Sequence, residues 1–225
     1  MRKIMLNAVL FVFSIGVFAQ KDVTKFLGIP VDGTKSEMIQ KLKEKGFQYD
    51  ASRDYLTGEF NGHRSELSVV TNNNKVWRIM VRDAFPSNET NIKIRFNHLY
   101  HQFENNEKYI HLSSDQTIPD DESISNQMII HNKRYEASFY QVSALKDTLA
   151  LAEELKSFLL TKYTEEQLAN PTEDIQSDIL KSSLSYYMEK FTKKSVWFMI
   201  DRQYNDYYIL LYYDNEYNHS DGEDL

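Results

Sequence analysis

The residues best spaced for chemistry are two histidines and a glutamate on one predicted helix. His98 and His101 lie three positions apart, and Glu104 follows three further on, a spacing that places side chains on one side of a helix. A metal site needs a full set of ligands and their supporting partners. Both histidines fall opposite the apolar residues of the helix, and the sequence implies no further ligand. We therefore expect a solvated helix face, with no metal and no cofactor.

Three arginines form a second candidate site. Arg64, Arg78 and Arg82 alternate with apolar residues along two predicted strands, so they share the polar side of a sheet. Guanidinium groups suit carboxylates, and this side could grip the acidic patch of another protein. The glutamates at 59 and 66 support an alternative, in which the charges pair across strands and only solubilise the sheet.

Aromatic residues are concentrated near the C-terminus, among them Trp197, Tyr208 and Tyr212. Exposed tyrosine and tryptophan side chains anchor protein interfaces and could stack on sugar rings. Alternatively, these strands bury tyrosine on both faces. With the three arginines, these three residues make up the interaction surface that we expect.

Signatures of catalysis are missing from the sequence. It has no glycine-rich phosphate loop, no nucleophile elbow, no histidine pair of a zinc protease and no cysteine. We expect no catalytic residues. Two carboxylates could still meet in space as a glycosidase pair, so an envelope hydrolase or a carbohydrate-binding protein acting on glycans is the alternative.

The N-terminus predicts export. Arg2 and Lys3 precede an apolar run from Ala8 to Phe18 that is too short to span a bilayer, and small residues precede Gln20. This pattern predicts a cleaved signal peptide over residues 1–19 and a periplasmic or secreted protein. We expect no transmembrane segment in the mature chain.

The negative net charge of the chain disfavours nucleic acid as a partner. The chain has 33 acidic and 26 basic residues, a formal net charge of −7, which repels phosphate backbones. We therefore expect no nucleic acid, and instead an unknown envelope or extracellular protein, with a glycan as a second possibility. The function expected is a non-catalytic protein-interaction module.

Turn signals set the predicted registers of the first sheet. Thr34 and Glu37 form a capping box that starts a helix. Asn61-Gly62 predicts a two-residue hairpin in which Phe60 pairs with His63. The asparagines at 72–74 predict a second turn that pairs Val69 with Trp77 and places Trp77 on the apolar face.

The later elements are predicted in the same way. A helix over about 88–105 carries an apolar stripe, and a hairpin is expected between 128–130 and 135–142. Helices fill 147–193, and strands follow over 196–202 and 207–213. These last strands are apolar on both faces, so we expect the helical insertion to cover the second face.

An internal similarity suggests how the units are arranged. Lys75–Asp83 and Ser195–Arg202 both place a tryptophan near the start of a β-rich run, which indicates a weak tandem duplication. The predicted fold class is α+β, with two related helix-plus-antiparallel-sheet units. They span residues 20–112, including a connecting helix, and 113–225, with the helical insertion at 147–193.

The run from Lys25 to Met38 and the segment Asn72 to Val76 resemble a group of uncharacterised exported proteins of Bacteroidetes-type bacteria. The resemblance runs through most of the mature chain, including residues 194–217, and implies no activity. The order of a helix and a meander, twice over, with the helix start Asp32-Gly33-Thr34, is similar to the β-lactamase-inhibitor-protein and outer-membrane assembly lipoprotein families. The chain lacks the lipid-carrying cysteine of the lipoproteins. Members of those families are binding proteins, so the resemblance implies a binding role.

Overall fold

An antiparallel sheet of eight strands forms the centre of the protein, whose residues 22–142 and 148–220 are described by a computed structural model. The strands are β1 (Lys25–Phe26), β2 (Ile29–Pro30), β3 (Gln48–Asp50), β4 (Tyr55–Phe60), β5 (His63–Asn72), β6 (Lys75–Asp83), β7 (Tyr109–Ile110), β8 (Glu136–Gln141), β9 (Ser195–Gln203) and β10 (Asp206–Asp214). The helices are α1 (Lys35–Glu44), α2 (Glu89–Glu104), α3 (Ile124–Ile130), α4 (Thr148–Leu160), α5 (Glu165–Ala169) and α6 (Glu173–Thr192). The predicted α+β class is confirmed.

The large sheet runs in the order β3-β4-β5-β6-β10-β9-β8-β7, and β1 pairs with β2 in a separate small sheet. The last strand, β10, therefore lies in the middle of the large sheet, between β6 and β9. The strands at its two edges, β3 and β7, are only three and two residues long.

One face of the sheet is apolar and buried beneath α1 and α2. Its rows of cross-strand neighbours include Leu67, Val81, Leu211, Phe198 and Ala137, and then Val69, Ile79, Tyr213, Val196 and Phe139. From α1, Met38 and Leu42 pack into the same core. The predicted stripe of α2 is confirmed, because all five residues are buried: Ile92, Phe96, Leu99, Tyr100 and Phe103.

The first hairpin forms as predicted, whereas the register of the second is wrong. Phe60 pairs with His63. In the second hairpin Val69 pairs with Ile79, not with Trp77. The turn consists of Asn73 and Asn74, both with positive φ, as a tight two-residue hairpin requires. A bulge beside Val70 leaves Trp77 as an extra residue, so it leaves the apolar face.

The predicted hairpin between 128–130 and 135–142 is also wrong in its first arm. Residues Ile124–Ile130 form α3, because the side chain of Ser123 caps the helix and Ile124 anchors it in the core. The second arm is β8, in which Ala137 and Phe139 are buried.

The helical insertion comprises α4, α5 and α6 in the part that is described, and α6 contacts α4 and β8. It does not cover the centre of the second sheet face, where side chains stay half-exposed. The predicted signal peptide lies outside the described residues. Among those residues, no helix combines the length and the apolar character needed to cross a membrane.

The tandem duplication stays a prediction. The two similar segments form β6 and β9, yet in the sheet β6 is the last of its four strands in sequence and β9 the third of its four. A single continuous sheet runs through both predicted units.

Candidate functional site: the open face of the sheet

The sheet surface opposite α1 and α2 carries all six residues predicted for an interaction surface. We call it the open face. Its two central rows, across the strands, are Glu66, Arg82, Leu210, Met199 and Glu136, and then Ser68, Met80, Tyr212, Trp197 and Ser138. Strand alternation adds Arg64, Arg78, Asp214 and Tyr208 to the same face.

A buried carboxylate organises one end of the open face. Asp214 is only 1% exposed. It accepts hydrogen bonds from Nε and Nη2 of Arg78 at 2.6 and 2.7 Å, and from Nε1 of Trp197 at 2.9 Å. Three donors thus satisfy this carboxylate, and the two-pronged geometry fixes the guanidinium plane.

Aromatic rings enclose the Arg78 guanidinium. Its central carbon lies 4.2 Å from the ring centre of Trp77 and 4.7 Å from that of Tyr212, within the range of cation–π attraction. Trp197 stacks on Tyr212, with ring centres 4.1 Å apart. Burial raises the pKa of the Tyr212 hydroxyl above its ordinary value, so this ring stays neutral. We call these four residues, with Asp214, the Arg78 cluster.

Arg82 is held less tightly. Its guanidinium stacks 3.8 Å from the ring centre of Tyr208 and contacts the Glu66 carboxylate at 3.3 Å. Both side chains of this ion pair remain partly in solvent. Arg64 is exposed, and within the described part of the chain no ion pair forms on it. Arg78 and Arg82 are equally half-buried, with 23% and 22% of the side chain exposed, but Arg78 is bound by a buried carboxylate and Arg82 by a partly exposed one.

The alternative of self-pairing charges is thus realised for Arg78 and Arg82. The tyrosines divide between the faces: Tyr207 and Tyr213 lie in the core, and Tyr212 is buried on the open face. Tyr208 and Trp197 remain half-exposed. The open face is accordingly not a row of unpaired arginines, and it is not a surface of fully exposed aromatic rings either.

Its centre consists of apolar residues that the sequence did not single out. Met80, Leu210 and Met199 are half-buried. Leu210 and Met199 are direct cross-strand neighbours, and Met80 lies diagonally from Leu210 in the next row, opposite Tyr212. Arg134 lies at the rim, where Nη2 contacts the sulfur of Met199 at 3.8 Å and the Glu136 carboxylate at 3.0 Å. An apolar centre with a charged rim results. Strand alternation could have found the methionines, but nothing in the sequence pairs Asp214 with Arg78.

The histidines of α2 do not form a site together. His101 Nδ1 lies 3.0 Å from a carboxylate oxygen of Glu104 on the exposed helix surface. His98 instead lines a cleft with His63 and the Asp83–Arg95 ion pair. In the described ranges, no three His, Cys, Asp or Glu residues are grouped so that they could hold a metal ion.

Among the described residues two carboxylates are buried, those of Asp83 and Asp214, and each is bound by an arginine. Asp83 accepts hydrogen bonds from Nε and Nη2 of Arg95 at 3.0 and 2.8 Å, as Asp214 does from Arg78. Both carboxylates are therefore occupied by hydrogen bonds from an arginine side chain and are not open to a ligand.

Comparison with known proteins gives no match to guide the interpretation. No protein-family model matches the chain, and no curated protein or solved structure is significantly similar to it.

Proposed function

We propose that this protein is a non-catalytic interaction module whose open face binds another protein. The observation that carries the proposal is the apolar centre of that face, formed by Met80, Leu210 and Met199. Methionine, arginine and aromatic residues are the types enriched in protein interfaces, where charged groups lie at the rim. The open face has this composition and this arrangement.

Rigidity of the surrounding residues supports the same function. The bonds of Asp214 fix Arg78 and Trp197, and Tyr212 is stacked in place. A surface ordered before binding loses less conformational entropy when a partner docks. Arg78 thus holds the surface in shape, whereas the exposed Arg64 is available to contact acidic groups of a partner.

We also propose that the chain is exported after removal of residues 1–19 and acts in the periplasm or outside the cell, as two related helix-and-sheet units. Support comes from the N-terminal sequence, in which two basic residues precede a short apolar run. Intact mass of the exported protein is expected to correspond to a chain that begins at Gln20. A mass that includes residues 1–19 would contradict cleavage.

The binding function is tested by Met80→Asp, which places a charge in the middle of the apolar centre. The chain from Gln20 is immobilised and challenged with an envelope extract at high salt, which screens purely ionic contacts. We expect the wild type to retain a defined protein, and the variant to bind that protein about tenfold more weakly or worse.

The matched control is Ile94→Asp, which makes the same kind of change on α2, away from the sheet. Ile94 is 62% exposed, so the added carboxylate stays in water and folding is unaffected. Equal binding losses in the two variants, or retention of the partner by Met80→Asp, would exclude the open face as the binding surface.

A further inference from the structure

A second surface, on the helix side of the sheet, is built as a small-ligand cleft. Its volume is about 360 Å³, within the usual range for ligand pockets. Three segments meet there: the turn between β1 and β2 at Leu27, the turn between β4 and β5, and the C-terminal end of α2. It is separate from the open face, because Tyr213 in its floor and Tyr212 point to opposite sides of β10.

Aromatic rings form the wall of this cleft: Phe60, Phe103, Tyr109 and Tyr213. They are locked by packing among themselves and on Phe26, which contacts Phe60 and Tyr213 with ring centres 5.2 and 4.9 Å apart. Phe103 and Tyr109 meet edge to face at 4.8 Å. Phe60 and Tyr109 are only half-buried, which leaves part of their ring surface open to a ligand.

Amide side chains form the rim. Asn61 donates from Nδ2 to Oε1 of Gln102 at 2.8 Å, which ties the β4–β5 turn to α2. Asn106 accepts at Oδ1 from the backbone of Lys108. Among the described residues, no hydrogen bond engages the Asn61 oxygen, the Gln102 nitrogen or the Asn106 nitrogen. The rim therefore offers the NH2 groups of Gln102 and Asn106 as donors and the side-chain oxygen of Asn61 as an acceptor.

The cleft is almost uncharged. Glu59 is the one charged residue among the described residues that line it, so a phosphate, sulfate or carboxylate would find no cation there. Burial, and then the neighbouring Tyr109, raises the pKa of Tyr213 well above its ordinary value, and this phenol stays neutral. A ligand that fits is neutral, with an apolar ring face and hydroxyl groups at its edge.

We propose that this cleft binds one ring of a neutral saccharide. The polarised C–H groups of a pyranose face pack against the electron-rich faces of aromatic rings. Its hydroxyl groups both donate and accept, as the amides of Asn61, Gln102 and Asn106 do. The site is independent of the protein-binding function of the open face.

The test uses NMR with the methyl glycosides of glucose, galactose, mannose and N-acetylglucosamine, each titrated into the chain from Gln20. A single ring held by a few rim groups has a dissociation constant on the order of millimolar. We expect at least one glycoside to shift the side-chain amide signals of Asn61, Gln102 and Asn106 saturably. The Gln102→Ala variant should bind it about two- to tenfold more weakly, whereas Gln40→Ala, an exposed helix position on α1, should not.

Two comparison ligands make the result decisive. Methyl glucuronide, which carries a carboxylate, should bind more weakly than methyl glucoside, and cyclohexanol should bind more weakly than the best glycoside. If no glycoside shifts the three amides, or if cyclohexanol binds as well as any sugar, the saccharide assignment is wrong. A negative saccharide test does not affect the Met80→Asp capture result, because that experiment measures binding to the open face.

Discussion

The Arg78 cluster gives the sharpest prediction about stability. Asp214→Asn keeps the size of the side chain and removes its charge. The carboxylate is 1% exposed and receives three hydrogen bonds. Removing one partner of a buried ion pair costs about 3–5 kcal/mol, because the other charge stays buried without compensation. Arg78 keeps 23% of its side chain exposed, so water compensates part of this cost and we expect a loss of about 2–4 kcal/mol.

The assay is a double-mutant cycle by urea unfolding. It comprises the wild type, Asp214→Asn, Arg78→Met and the double variant. The double variant removes the orphaned guanidinium as well as the carboxylate, so it should be less destabilised than the sum of the single variants. We expect a coupling energy of about 1.5–3 kcal/mol. The matched control is the cycle of Glu66→Gln with Arg82→Met, where both side chains are partly exposed and coupling should stay below about 1 kcal/mol.

Additivity in the Asp214–Arg78 cycle would refute the reasoning. So would equal coupling in the two cycles, because burial would then not decide the strength of the pair. The slope of the unfolding transition should be unchanged in the single variants, which shows that the folded state keeps its compactness.

Two further changes test other parts of the fold. Gly58→Ala should destabilise the protein by about 1–3 kcal/mol in urea unfolding, because its Cβ would lie 2.8 Å from Cε1 of Phe47; a neutral effect would mean that the Phe47 ring moves freely. Glu122→Gln tests pH dependence. Lys133 and then Tyr135 lower the pKa of Glu122 below 4.5, so the unfolded chain takes up the proton first as the pH falls. The stability that this carboxylate contributes is present above pH 4.5 and is lost as the pH falls through the lowered pKa. Between pH 6, 4 and 3 the free energy of unfolding should therefore fall less for the variant than for the wild type. Equal pH dependence of the two proteins would contradict the assignment.

Turn and helix-capping residues predicted those parts of the fold that are set by residues close together in the sequence. Asn61-Gly62 set the β4–β5 register, and the Thr34 capping box started α1 where expected. Trp77 was assigned to the wrong face of the sheet because a bulge shifts the strand register by one residue. The asparagines of the turn do not indicate that bulge. Ile129 and Ile130 indicated a strand, but the segment forms a helix whose N-terminus is capped by the Ser123 side chain.

The candidate site was less predictable for a different reason. Arg78 and Asp214 are 136 residues apart, and no local sequence pattern predicts that β6 and β10 pair. Without this pairing, Arg78 looks like a free cation on a polar strand face. The sequence therefore placed these residues on one sheet face but could not show that Arg78 is bound by a buried carboxylate and Arg82 by a partly exposed one.

The central position of β10 has a consequence for how the chain acquires its structure. Until residues Asp206–Asp214 are available, β6 and β9 each have an unpaired edge in the middle of the future sheet. Contacts between such distant segments form slowly, because a long loop must close before they are made. Folding of the large sheet thus waits for the last strand, and a chain shortened by its final twenty or so residues would expose two long, apolar edges to aggregation.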